Sequence, residues 1–232
     1  MTAVEKCFFV IGIIISLTMI YIDQAGTAVT LVSMAQDLHL TAVTQHWVIN
    51  AYLLSLASLL LLAGRTSDYF GYKKIYFIGH IIFVLASLLV GFSVNSWMII
   101  LGRVFQGVGA SILVTGNITL LSLHFPQSSR GKIIGIVVAA GGGFLTAAPL
   151  VAGLFTQYLS WRWLFWINLP LVLVALYFVM KFCPKDPALP EHKRLDIKGL
   201  LLIVISLLCF IFAIMQIPAW GISVPTIIVL IL

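Results

Sequence analysis

Two side chains charged at neutral pH stand inside otherwise apolar runs of this sequence, Asp23 and Arg103. A charge at the centre of a bilayer costs about 3 kcal/mol on insertion scales, so such a residue persists where it is paired, wetted or at work. Asp23 shares a helical face with Thr27 and Thr30, a polar stripe that cannot face lipid cheaply and is expected to line a cavity. A carboxylate in that setting can take up and release a proton or pair with a lipophilic cation. The plainer alternative is a carboxylate solvated or structurally paired near the outer third of its helix. Arg103 heads a face that continues through Gln106, Gly107, Ala110, Val114 and Asn117. A guanidinium does not give up its proton, so Arg103 is either a fixed charge tuning a nearby carboxylate or a donor to backbone carbonyls of neighbouring helices.

Two further patterns suggest moving parts. Gly64, Asp68 and Gly71 precede the paired Lys73 and Lys74, which suits a tight turn in which Asp68 caps the next helix or bridges to a basic partner. Retention of positive charge explains the lysines, but not the glycines and acid at this spacing, so the segment reads as a conformational latch. Small residues or proline recur at Gly135, Ala139, Gly142, Thr146, Pro149 and Gly153. They form one groove where another helix can approach closely and where Pro149 can bend the rod. Ordinary helix packing is the bland account; a face able to slide or pivot is the sharper one.

The elements that must position these residues follow from composition. The chain of 232 residues is 62% hydrophobic and 9% charged, with mean hydropathy +1.15, which excludes a soluble globule. Apolar stretches near 7–32, 46–64, 75–94, 97–122, 133–158, 163–182 and 199–217 each approach the roughly 20 residues that span a bilayer. Eleven of the 13 Lys and Arg fall in the loops on one side, which places the N-terminus in the cytoplasm. The same placement accounts for the net charge of +6, so no nucleic acid is implied. The expected organisation is a six-helix bundle over 1–182, a polar cytoplasmic linker over 183–198, and an extra helix with the truncated start of the next over 199–232. Too few residues follow Gly221 to cross a bilayer, so the chain reads as the N-terminal part of a longer protein whose C-terminal half is missing.

Several enzyme and metal classes find no support. Gly107-Val108-Gly109 lies in an apolar helix with no strand before it, and Asn117-Ile118-Thr119 is a glycosylation triplet at membrane depth. Cys7, Cys183 and Cys209 are scattered and read as free thiols, and His39 and His46 as solvated turn residues. No catalytic constellation and no metal-spaced cluster is present, so neither an enzyme nor a metal cofactor is expected.

Taken in order, the motifs resemble the major facilitator superfamily, in particular its fourteen-helix drug:proton antiporter branch. Gly64–Lys74 is similar to the family's loop signature between helices two and three, and Leu101–Ala110 to its helix-four signature. Ala148-Pro149-Leu150-Val151-Ala152-Gly153 is similar to the antiporter motif, with alanines where that motif usually has glycine. Trp161–Pro170 and Leu195–Gly199 resemble stretches typical of the fourteen-helix branch. After Asp23 the family usually has Thr and Asn where this chain has Ala25 and Ala28. The resemblance implies an all-α membrane protein that exports lipophilic, often cationic drugs from a bacterial plasma membrane in exchange for protons. Protons are then the coupling ion and no other cofactor is needed. It further implies coupling at Asp23, Arg103 and Gln106, an inner gate at Gly64, Asp68, Gly71, Lys73 and Lys74, and antiport geometry at Pro149 and Gly153, while the polar faces of the helices that carry Asp23 and Arg103 make Thr27, Thr30 and Asn117 the expected cavity lining. A transporter dedicated to one metabolite or lipid precursor, or a truncated half that does not transport, are the alternatives.

Overall fold

The computed structural model describes residues 2–184, 186 and 196–220. These form eight helices: α1 (Ala3–Asp37), α2 (Ala42–Phe70), α3 (Tyr72–Gly91), α4 (Ser96–His124), α5 (Gln127–Tyr158), α6 (Trp163–Trp166), α7 (Asn168–Phe182) and α8 (Ile197–Trp220). Seven stretches are long and apolar enough to cross a membrane, α6 and α7 together making the sixth. Among the described residues the architecture is all-α.

Most helices begin before and end beyond the apolar windows, because hydropathy marks the hydrocarbon crossing while caps mark the helix ends. α1 opens on a capping box: the Thr2 hydroxyl accepts from the Glu5 amide, and the Glu5 carboxylate accepts from the Thr2 amide. Thr41 caps α2 by accepting from the Thr44 amide, and Asn95 caps α4 by accepting from the Met98 amide. The stretch 163–182, expected as one rod, is interrupted at Ile167. Pro170 has no N–H to offer the Trp166 carbonyl, so a fresh helix starting at Asn168 accommodates it in its first turn.

α1 packs against α5 and α7, α3 against α4 and α7, and α2 against α4 and α8. α4 is drawn close to two neighbours by glycines. A Cβ on Gly107 would lie 2.5 Å from the Tyr52 carbonyl oxygen of α2, and one on Gly109 2.8–2.9 Å from the Phe83 backbone of α3. This near backbone contact carries the long polar side chains of α4 into the centre of the bundle. α8 touches only α2 among the described residues, with Trp47 stacked on Phe212 at 5.9 Å.

Two expectations need correction. α2 runs on through Phe70, so the α2–α3 connection is the single residue Gly71, at φ +102°. Gly64 and Asp68 therefore sit within α2: Gly64 bounds no turn, and Asp68 cannot cap α3 from the last turn of the preceding helix. On α5, the face of Gly135, Ala139, Gly142, Thr146, Pro149 and Gly153 is not the face that packs. Gly135, Gly142 and Gly153 have open space where a side chain would be, and α5 meets the bundle through Val137, Gly141, Ala148 and Ala152 instead. The linker expected over 183–198 and the helix expected after Gly221 lie largely outside the described residues.

Candidate functional site

Five helices converge on one buried polar cluster. α1 supplies Asp23, α4 supplies Arg103 and Gln106, α3 supplies Ser87, α7 supplies Asn168, and α2 contributes the Val48 carbonyl and the Tyr52 ring. Asp23 is 0% exposed and Arg103 1%, and the Arg103 Nη1 to Asp23 Oδ2 distance is 2.5 Å. The other carboxylate oxygen accepts from Gln106 Nε2 at 3.0 Å and Asn168 Nδ2 at 3.4 Å. Arg103 also donates through Nε to the Val48 carbonyl at 3.0 Å and through Nη1 to Gln106 Oε1 at 2.9 Å. Its guanidinium carbon lies 4.2 Å from the centre of the Tyr52 ring. Ser87 Oγ accepts from Gln106 and Asn168 and donates to its own helix at Phe83.

An ion pair taken out of water survives only when its remaining lone pairs and protons are also satisfied. Here both carboxylate oxygens are engaged, one by Arg103 and the other by Gln106 and Asn168. The sequence singles out Asp23, Arg103 and Gln106, and the fold brings all three together. Asn168, Ser87 and Tyr52 escaped it. The available signal was a lone polar residue in an apolar helix, which Ser87 and Asn168 share with many membrane serines and asparagines that merely bond their own backbone.

The residues expected to line a cavity are closed off from solvent in this structure. Thr27 and Thr30 are fully buried, and their hydroxyls donate to the Asp23 and Thr27 carbonyls of their own helix. Asn117 is 2% exposed, its Oδ1 accepting from the Tyr76 hydroxyl at 2.8 Å. A small polar stripe on a membrane helix can satisfy itself by back-bonding, so it need not face water.

The gate motif divides. The Tyr72 hydroxyl donates to Asp68 Oδ1 at 2.9 Å, and Lys74 is exposed. Lys73 is the residue that reaches across the bundle: its Nζ donates to the carbonyls of Cys183 at 2.9 Å and Met180 at 3.4 Å, the end of α7, where a cation meets the negative pole of a helix. The Lys73 amide in turn donates to Asp186 Oδ2 at 3.0 Å, so Asp186 supplies the α3 cap expected of Asp68. The Cys183 thiol beneath this clip is buried, and burial pushes its pKa up to about 12. With Cys7 and Cys209 replaced by serine, Lys73→Ala should speed maleimide labelling of Cys183 at mildly alkaline pH by about tenfold or more. Loss of the ammonium by itself would raise the thiol pKa further and slow labelling. Faster labelling therefore reports opening of the clip, and slower or unchanged labelling would show that Lys73 does not hold the end of α7.

At the opposite end of the bundle, Asp37 Oδ2 accepts from Arg162 Nη1 at 2.5 Å and Trp161 Nε1 at 3.1 Å, while Arg162 Nη2 donates to the Ser93 carbonyl at 3.1 Å. This half-exposed clip ties the end of α1 and the α3–α4 turn to the start of α6. Pro149 and Gly153 sit on the open face of α5 and touch neither the polar cluster nor the Lys73 clip.

A sequence profile of the Major Facilitator Superfamily matches residues 13–232. The chain is 36% identical over 191 residues to the uncharacterized transporter YebQ of Escherichia coli, covering 81% of this chain and 41% of that protein. It is 35% identical to the puromycin resistance protein pur8 of Streptomyces alboniger, covering 88% and 41%. It is 32% identical to the riboflavin transporter RibZ of Clostridioides difficile, covering 85% and 43%. The chain thus spans about two-fifths of the length of these relatives, of which YebQ and RibZ are transporters. In fold it is similar to the POT family transporter PepTSo, with a TM-score of 0.66 at 14% identity over 96% of this chain and 51% of that one. With drug resistance and export proteins among its relatives, the chain belongs to the Major Facilitator Superfamily.

Proposed function

We propose that this chain is the N-terminal part of a proton-coupled antiporter that exports lipophilic, often cationic drugs across a bacterial plasma membrane, its N-terminus cytoplasmic. The observation that carries this reading is the Asp23 carboxylate, fully buried and balanced by a single counter-charge. A proton and Arg103 are alternative ways of neutralising that acid, so a helix movement that loosens the Arg103 contact favours proton uptake and one that restores it favours release. Alternating access, with this bundle rocking against a second one, supplies the movement. The exposed small-residue face of α5 suits such a sliding contact. The puromycin and tetracenomycin C resistance relatives favour drugs as substrates.

The riboflavin transporter relative favours a second reading, a carrier dedicated to one metabolite. The full-length transporter in proteoliposomes separates them. Under an imposed proton gradient, efflux of chemically unrelated lipophilic cations should accelerate about tenfold or more over gradient-free vesicles, a factor worth ~1.4 kcal/mol in the effective barrier. Response of riboflavin alone would favour the dedicated carrier, and indifference of both to the gradient would refute proton coupling.

A further inference from the structure

A second group of buried polar side chains lies below the Asp23 cluster, towards the N-terminal end of α1, on the same faces of the same three helices. α1 carries Ser16 seven residues before Asp23, α3 carries Tyr76 and His80 before Ser87, and α4 carries Asn117 eleven residues after Gln106. At 100° and 1.5 Å per residue, each pair shares a face; Ser16 and His80 lie about 10 Å along their helices from Asp23 and Ser87, and Asn117 about 16 Å from Gln106. All four side chains are essentially inaccessible.

The group centres on Tyr76. Its hydroxyl donates to Asn117 Oδ1, its ring meets the His80 ring edge-on at 4.5 Å, and the Ser16 hydroxyl stands beside its phenol. His80 Nδ1 is 3.0 Å from the Tyr76 carbonyl, which can only accept, so Nδ1 carries the hydrogen and Nε2 presents a bare lone pair. His80 Nε2 and Asn117 Nδ2 both lack hydrogen-bond partners among the described residues. Two orphan polar atoms in one buried group are a departure from the rule that such atoms are paired, and one of them is the basic nitrogen of an imidazole.

Among the described residues no ion pair reaches this histidine. The titratable groups nearby are the Tyr76 phenol on its own helix and, against that phenol, the Cys183 thiol at the end of α7. α4 offers only the neutral Asn117 amide, and α1 offers Ser16 with Asp23 two turns away. Met19 of α1, Phe83 of α3 and Leu113 of α4, all buried, lie between the two groups and keep them apart in this state.

We propose that His80 is a second proton-holding residue, which takes a proton at Nε2 and exchanges it with the Asp23 cluster when the Met19–Phe83–Leu113 layer opens. The proton arrives and leaves at the same nitrogen, since Nδ1 remains bonded to the Tyr76 carbonyl, and no other bond changes. The apolar layer makes handover depend on helix movement, so protons do not leak through a static bundle. This rests on the proton-coupled reading above.

The test uses full-length transporter in proteoliposomes with ethidium as probe. It compares gradient-driven efflux across a range of pH with exchange of ethidium for ethidium, which needs no net proton movement. His80→Gln should slow gradient-driven efflux about tenfold or more and flatten its pH profile while leaving exchange unchanged. Retention of both the rate and the pH profile would overturn the proposal, and so would loss of efflux and exchange together, which marks a merely structural histidine. Should His80→Gln not fold, Asn117→Ser leaves the histidine and removes the amide bonded to the Tyr76 hydroxyl: a displaced pH profile supports the proposal and an unmoved one overturns it. Wild-type efflux that ignores the gradient removes the proton-coupled reading itself, and wild-type coupling with a normal His80→Gln removes only this inference.

Discussion

Asp23→Asn should abolish gradient-driven efflux in the full-length transporter, lowering the rate at least about a hundredfold, while exchange of substrate for substrate continues. The size of the effect follows from the geometry. Asparagine occupies the same volume and its side-chain oxygen can still accept from Arg103, Gln106 or Asn168, so the five helices keep a common anchor. What disappears is the ability to carry a proton on one half of the cycle and a charge on the other. Arg103 cannot substitute because it never deprotonates, and Gln106, Asn168 and Ser87 do not titrate. Efflux and exchange are measured on the same vesicles with and without a gradient. If Asp23→Asn still responds fully to the gradient, the coupling acid lies elsewhere. If it loses exchange as well, the carboxylate serves the substrate or the frame.

The sequence made the principals of this site visible because the membrane makes charge conspicuous. Asp23 and Arg103 stand out in runs of Leu, Ile and Val, and Gln106 falls one turn from Arg103 on the same face. That these two charges meet is not written in either helix. It depends on the close seating of α4 against α2 and α3 at Gly107 and Gly109, a tertiary fact. Asn168 was hidden differently: its position depends on the break before Pro170, which hydropathy smooths over. The seven crossings were legible because roughly 20 apolar residues are a strong signal, whereas the ends of the helices were set by Thr2, Thr41, Asn95 and Gly71. The outward face of α5 illustrates a further limit. A stripe of small residues predicts that something can approach closely, and says nothing about whether this part of the chain supplies the approaching helix.

The second large effect concerns stability and separates a true buried pair from two polar residues that happen to be neighbours. Arg103→Met and Asp23→Asn should each destabilise the purified protein by about 3–5 kcal/mol, because each leaves the other group buried without its opposite charge. The double variant should be less destabilised than the sum of the two by more than the loss that Arg103→Met causes alone, about 3–5 kcal/mol, since it removes both charges and leaves a methionine of similar length against the Tyr52 ring. The acid should suffer less from loss of its partner than the base. A stranded carboxylate can bind a proton, while a stranded guanidinium keeps its charge and meets only neutral groups, among them the Val48 carbonyl, Gln106 and the Tyr52 ring. Asp23→Asn should therefore melt below Arg103→Met, and adding Arg103→Met to Asp23→Asn should raise the melting temperature instead of lowering it further. Thermal unfolding of the four proteins in one detergent reads this directly. Strictly additive losses would mean that Asp23 and Arg103 are held by their other partners and do not act as a pair. The exchange of Arg103 for a proton on Asp23 would then lose its energetic basis.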